Sequence, residues 1–212
     1  MELKKRSDLH LARKVWHMSG VFSMFLAYTF LPETVALTML FVAWLLFVPL
    51  DFLRQYRPKL NEWVVQAFRP IMRETERLKL AGTTYLLSGV ALLVLFFPRP
   101  IVSLAILFLA FADPIASFVG IKWGKDKIFR HKSIQGFMAA YVVCFLVTFV
   151  YLTLTETLVD HVLVIALFGG LIGALAELVP VAKLDDNFTL PLLSAIGLAA
   201  LFYFFGFFPI VG

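Results

Sequence analysis

The stretch Phe108–Ala140 sets an aspartate, Asp113, inside an apolar run and follows it at once with Pro114. Ser117, Gly120 and Gly124 come next at helical spacing, so one helix face would carry an acid among small residues. A cationic loop follows, with Lys122, Lys125, Lys127, Arg130, His131 and Lys132, and it ends on Ser133 and Gly136 as a new apolar segment begins. An acid held next to lysines is the arrangement a metal-bound polyphosphate requires. Further on, Glu177 closes another apolar run, and Asp185, Asp186 and Asn187 stand together in a short polar loop. Carboxylates and an amide oxygen suit magnesium, which prefers oxygen ligands and usually keeps waters and substrate phosphates in its shell. The chemistry these residues suggest together is phosphoryl or nucleotidyl transfer at a membrane surface.

Each of these features also has a plainer reading. An ionised side chain near a bilayer centre costs about 2.5 to 3.5 kcal/mol on insertion scales, so an acid in a span is a functional candidate by default. Asp51 can simply pair with Arg54 at the end of its segment, whereas for Glu177 the two readings stand level. Asp113 lies deeper, and Asp-Pro is a good helix start, so the fourth span is expected to break there around a polar cavity. The competing reading is a proline kink in a packed helix, with Gly120 and Gly124 serving close helix contact. Lys132-Ser133 just ahead of Gly136 places point charge at the start of a span, where backbone donors favour phosphate oxygens. Asp186, Asn187 or Thr189 can equally cap the last span, with Pro191 in its first turn.

The elements that must hold these residues are membrane helices. The chain has 212 residues, 61% of them apolar, with a mean hydropathy of +0.88 and 23 phenylalanines. Seven apolar segments, about 15–31, 34–52, 82–97, 101–119, 137–155, 162–179 and 190–211, each approach the roughly 20 residues that cross a bilayer core as helix. Alternating their connections puts 18 of the 19 Lys and Arg on one side, leaving only Arg99 on the other. The positive-inside rule then makes the N-terminus cytoplasmic and turns the lysine loop and the acids to the cytoplasm. The fold class read from this is an all-α polytopic bundle of about seven spans, one transmembrane catalytic domain over 1–212, without repeat or linker. In the Gln55–Ala81 connection, Val64, Phe68, Ile71 and Leu78 share a helical face, which suits an interfacial helix interrupted near Pro70. The basic N-terminus, including Lys4, Lys5 and Arg6, reads as a topology signal in contact with membrane lipids rather than a cleavable leader. Cys144 is the only cysteine, which excludes an internal disulfide and a cysteine metal site. The charge of +5 is explained by topology, and no nucleic-acid partner is inferred from it.

Taken in order, the chain resembles the polyprenol kinase family. The resemblance lies in Arg13-Lys14-x-x-His17, Ala81-Gly82-x-Thr84-Tyr85, Ala112-Asp113 with Ala116, Gly120 and Gly124, Lys132-Ser133-x-x-Gly136, and Glu177 followed by Asp186-Asn187 and Pro191. That family includes dolichol kinases, phytol kinases and CTP-dependent diacylglycerol kinases, and is distantly similar to CDP-diacylglycerol synthases. Ala112 stands where the family usually has glycine, and the many additional N-terminal spans of dolichol kinases are absent from this sequence. The resemblance implies transfer of the γ-phosphate of CTP, with Mg²⁺, to a lipid alcohol (a polyprenol, dolichol, phytol or diacylglycerol) in a bacterial-type inner membrane or an endomembrane. Carried onto this chain, Asp113, Glu177 and Lys132 would be catalytic, and Asp113, Glu177 and Asp186 would hold the metal. Lys122, Gly124, Lys125, Lys132, Ser133, Gly136 and Asn187 would bind nucleotide and phosphate, and Arg13, Lys14, His17 and Thr84 would meet the lipid. The alternatives are a cytidylyltransferase, in which a lipid phosphate attacks the α-phosphate of CTP, and a small proton- or ion-coupled transporter.

Overall fold

The structure, a computed structural model, describes residues 11–129, 132–181 and 184–208; Lys4, Lys5, Arg6, Arg130, His131 and Lys183 lie outside the described residues. Helices account for most of it: α1 (Leu11–Phe30), α2 (Glu33–Tyr56), α3 (Pro58–Ala67), α4 (Gly82–Phe96), α5 (Arg99–Lys122), α6 (Ile134–Leu154), α7 (Val162–Leu178) and α8 (Asp186–Phe204). All but α3 fall on the seven apolar segments of the sequence. By length and composition α2, α5, α6 and α8 can cross a membrane, and α4 and α7 are shorter apolar helices. In a hydrocarbon solvent the backbone must bond to itself, so apolar runs of this length fold as helices. Large apolar side chains such as Leu46, Phe96, Val142, Leu167 and Phe204 accordingly point outward, as an integral membrane protein requires.

The hub is α5, in which every residue from Ile101 to Ala110 is buried and which packs against α1, α6, α7 and α8. Contrary to the expected break, α5 runs unbroken through Asp113-Pro114. Proline removes one donor, the partner of the Ala110 carbonyl, and the packing around α5 absorbs that loss. Two side chains from α1 bracket the position, His17 at the Leu109 carbonyl (3.1 Å) and Lys14 donating to the Pro114 carbonyl (3.3 Å). Asp113 is therefore no helix cap, and its carboxylate is left for other use.

The link from α3 to α4 is pinned from α2. Arg54 donates to Asp51 (2.5 Å), to Asn61 (2.7 Å) and to the carbonyls of Glu76 (3.1 Å) and Lys79 (2.8 Å). The second Asp51 oxygen accepts the Ala81 N–H (2.8 Å) and the Thr84 hydroxyl. This buried cluster gives Asp51 the structural role, and it corrects Thr84, which is only 4% exposed and bonded to Asp51 rather than presented to lipid. The helix α3 stops at Ala67, ahead of Pro70, and a single 3₁₀ turn, Glu74–Arg77, follows. Val64 turns inward while Leu78 is 81% exposed and does not share its face. One non-helical element was not foreseen, an antiparallel hairpin of β1 (Lys127–Phe129) and β2 (Lys132–Ser133) with Lys127 opposite Ser133.

Candidate active site

The start of α1, the end of α5, the hairpin, the start of α6, the end of α7 and the start of α8 meet at one end of the bundle. Together with Arg73 they enclose a cavity of about 350 Å³. At the other end, Arg99 donates to the carbonyls of Tyr28 (2.5 Å) and Thr29 (3.3 Å). The cavity is lined by five cations, Arg13, Lys14, Arg73, Lys127 and Lys132, and four carboxylates, Asp113, Glu177, Asp185 and Asp186.

Lys132 stands among the acids. Its ammonium donates to Glu177, whose side chain is 2% exposed, and lies 3.5 Å from Asp186. Burial would lower the Lys132 pKa, but Glu177, Asp186 and Asp113 together hold it above the ordinary lysine value. Its neighbour Ser133 caps α6 by accepting the Gly136 N–H (3.2 Å). Gly120 in α5 and Gly124 just past its end permit this approach: a Cβ on Gly124 would lie 2.5 Å from the Ser133 hydroxyl, and one on Gly120 3.2 Å from it. Glycine is thus required on the α5 side for β2 to reach the cavity.

Asp113 faces His17, with 3.9 Å between Oδ2 and Nε2. Asp185 caps α8 by accepting the Asn187 N–H (3.0 Å); burial pushes its carboxyl up, with that N–H and Arg73 opposing. Asn187 donates to the Gly82 carbonyl (3.1 Å), tying α8 to α4. Arg13 forks onto both oxygens of Glu76 (2.7 and 2.8 Å) and donates to the Ile71 carbonyl (2.8 Å). Glu76 also accepts the N–H groups of Arg73 (2.8 Å) and Gly82 (3.1 Å). Burial raises the Glu76 pKa, but Arg13 and these two donors outweigh it and hold the carboxyl below the usual range. Gly82 sits where these parts meet, because a Cβ there would lie 2.6 Å from the Asn187 amide nitrogen.

Three cations of the lining lack a carboxylate partner among the described residues. Lys14 donates to neutral acceptors, the Ser117 hydroxyl (2.7 Å) and the Pro114 carbonyl, while Arg73 and Lys127 form no salt bridge. Burial and nearby Arg13 lower the Arg73 pKa, so its charge is costly where it stands. Cations without a salt-bridge partner around a cavity favour an anion there.

Of the residues singled out from sequence, Arg13, Lys14, His17, Asp113, Lys132, Ser133, Gly136, Glu177, Asp186 and Asn187 all line this cavity. Lys122 and Lys125 do not. The Lys122 ammonium lies over the Trp123 ring (4.6 Å), and Lys125 is held through its backbone by Gln135 (3.2 Å). Gly124 packs behind the cavity wall rather than lining it. The three acids expected to share a metal do not form a cage, since among the described residues no group of three His, Cys, Asp or Glu is placed to hold one. Glu177 and Asp186 converge on Lys132, and Asp113 is turned to His17. A cation site of one or two carboxylates completed by phosphate oxygens remains compatible with this donor set. Arg73 and Lys127 were missed as lining residues. The dense Arg73–Arg77 charge run ahead of Ala81-Gly82 was the only sequence signal for the first.

A helical membrane bundle with a cavity at one end lined by both cations and acids has the parts of a membrane phosphotransferase. The chain is 34% identical over 155 residues to CTP-dependent diacylglycerol kinase 1 of Schizosaccharomyces pombe, covering 68% of this chain and 71% of that one. It is 29% identical over 204 residues to the protein of the same name from Eremothecium gossypii, covering 87% and 64%. An uncharacterised protein of Rickettsia prowazekii is 30% identical over 193 residues, covering 87% and 91%. No family model and no solved structure matches. The chain belongs to the CTP-dependent lipid kinase family, and it is a phosphotransferase of the membrane.

Proposed function

We propose that this enzyme transfers the γ-phosphate of CTP to the free hydroxyl of diacylglycerol, the lipid named for its yeast relatives. The observation that carries the reading is the trio Lys14, Arg73 and Lys127, cations that form no salt bridge among the described residues, facing a cavity whose other wall holds Asp113, Glu177 and Asp186. The cations and Lys132 bind the phosphates and balance their charge. Asp113 accepts the proton as the lipid oxygen attacks the γ-phosphorus, and CDP departs. Ser133 and Gly136 fix the start of α6 against the phosphates, and Asn187 orients the acceptor end of the cavity. Mg²⁺ would be held by Glu177 or Asp186 together with phosphate oxygens, supplying further charge neutralisation at the transferred group. Residues 1–212 form one catalytic unit of seven spans, and the charge partition along the sequence turns the cavity to the cytoplasm.

The test is transfer of label by purified protein in mixed micelles, with CTP labelled at the γ or the α position. Diacylglycerol, a polyprenol and phytol are offered in parallel. The expected result is γ-label in phosphatidic acid. Label confined to a polyprenol or phytol phosphate would refute diacylglycerol as acceptor, and α-label in lipid would refute the kinase reaction.

A further inference from the structure

A second cavity, of about 580 Å³, lies between α1, α2 and α4 and shares three wall residues with the first: Arg13, His17 and Asn187. Away from that junction its walls become apolar, with Gly20 and Met24 from α1, Ala43, Leu46 and Phe47 from α2, and Leu86 from α4. From Arg13 to Met24 it follows one face of α1 for about 16 Å at 1.5 Å per residue, away from the polar end and into the apolar depth of the bundle. Trp16 (59% exposed) and Leu46 (68%) stand at its margin, so it opens sideways toward lipid. Gly20 is its least explained residue. It lies inside a helix, where glycine is unfavourable, and a Cβ added there meets nothing within 4 Å. Packing does not demand a glycine at that point, and its lack of a side chain leaves the groove wide there.

We infer that this groove holds a hydrocarbon chain of the acceptor lipid, entering between α1 and α2, while the lipid hydroxyl passes His17 to reach Asp113. The inference rests on the lipid kinase reading of the polar cavity. The two cavities adjoin at His17, which lines both and stands 3.9 Å from the Asp113 carboxylate. The wall chemistry, with charged side chains (Arg13, Asp51, Arg54, Glu76) and the His17 imidazole at one end and mainly apolar side chains beyond, matches a molecule with one polar end and a long apolar tail. Gly20 and Ala43 then act as specificity residues, because their small size keeps the two walls apart.

The test compares dioleoylglycerol with dihexanoylglycerol as acceptors for γ-labelled CTP in wild-type protein, Gly20→Leu and Ala43→Phe. Val142→Leu, on an outward face remote from both cavities, serves as control. Both groove substitutions add bulk where the side chain has open space or exposure, so the fold has no reason to fail. The expected result is a fall of at least tenfold in the ratio of long-chain to short-chain transfer in both groove variants, with the Val142→Leu ratio unchanged. An unchanged ratio in both, as the groove would give if it held only bulk lipid, overturns the inference, and so does equal loss on both acceptors in both variants. Wild-type protein that phosphorylates neither acceptor would instead defeat the diacylglycerol reading.

Discussion

Replacing Lys132 with methionine keeps most of the side-chain volume and removes the charge that Glu177 and Asp186 share. The Glu177 side chain is 2% exposed and Lys132 is its only salt-bridge partner among the described residues, so the variant leaves a buried acid without its cation. Breaking a buried pair from one side costs about 3 to 5 kcal/mol. Lys132 is itself 24% exposed, so the lower end, about 3 kcal/mol, is expected here. For a chain of this size that corresponds to a fall in Tm of about 6 to 12 °C. Thermal unfolding in detergent measures it, and the double variant Lys132→Met/Glu177→Gln sharpens it. Removing the stranded acid should return about 2 kcal/mol of stability, a coupling of the size found for contacting residues. Transfer should stay lost in both variants, because the charge that meets phosphate is gone in each. A single variant whose Tm falls by less than about 1 °C, or a double variant no more stable than the single, would refute the placing of Lys132 as the cation that holds Glu177.

Asp113→Asn should abolish γ-phosphate transfer while leaving Tm within about 2 °C of wild type, because Asp113 makes no short ion pair; retained transfer would remove the acid from the reaction. Gly124→Ala should cost about 1 to 3 kcal/mol, seen as a lower Tm, because its methyl would lie 2.2 Å from the Gly120 carbonyl oxygen and 2.5 Å from the Ser133 hydroxyl. The Arg13–Glu76 fork gives a signed pH dependence. The Glu76 pKa is lowered in the folded protein, so its contribution is fully present above the ordinary glutamate value and is lost as pH falls through the lowered one. Wild type should therefore exceed Glu76→Gln in Tm at neutral pH, and the gap should close on acidification; a gap that widens would contradict the assignment.

Much of the bundle was legible because hydrocarbon leaves the backbone few options, and seven apolar runs became seven helices. The site was legible where a residue's type is costly in its setting. Asp113 and Glu177 in apolar runs, and Lys132-Ser133 at a helix start, are conspicuous without any structure. What failed was orientation. Which lysines face the cavity is decided by where the β1–β2 hairpin begins: Lys127, its first residue, lines the cavity, whereas Lys125 lies ahead of the strand and is held by Gln135, and two strands of two or three residues leave almost no periodic trace. Pro114 suggested a break, yet packing on several sides of α5 outweighed the loss of one backbone bond. Thr84 carried no sign of its partner, because Asp51 lies 33 positions earlier and meets it only through the tertiary fold.

The most direct measurement is an experimental structure of the Asp113→Asn enzyme with CTP, magnesium and a diacylglycerol. The nucleotide phosphates should lie against Lys132 and Ser133, within reach of Lys14, Arg73 and Lys127, with the lipid hydroxyl beside residue 113. Nucleotide bound at any other part of the molecule, with this cavity filled only by water, would contradict the account.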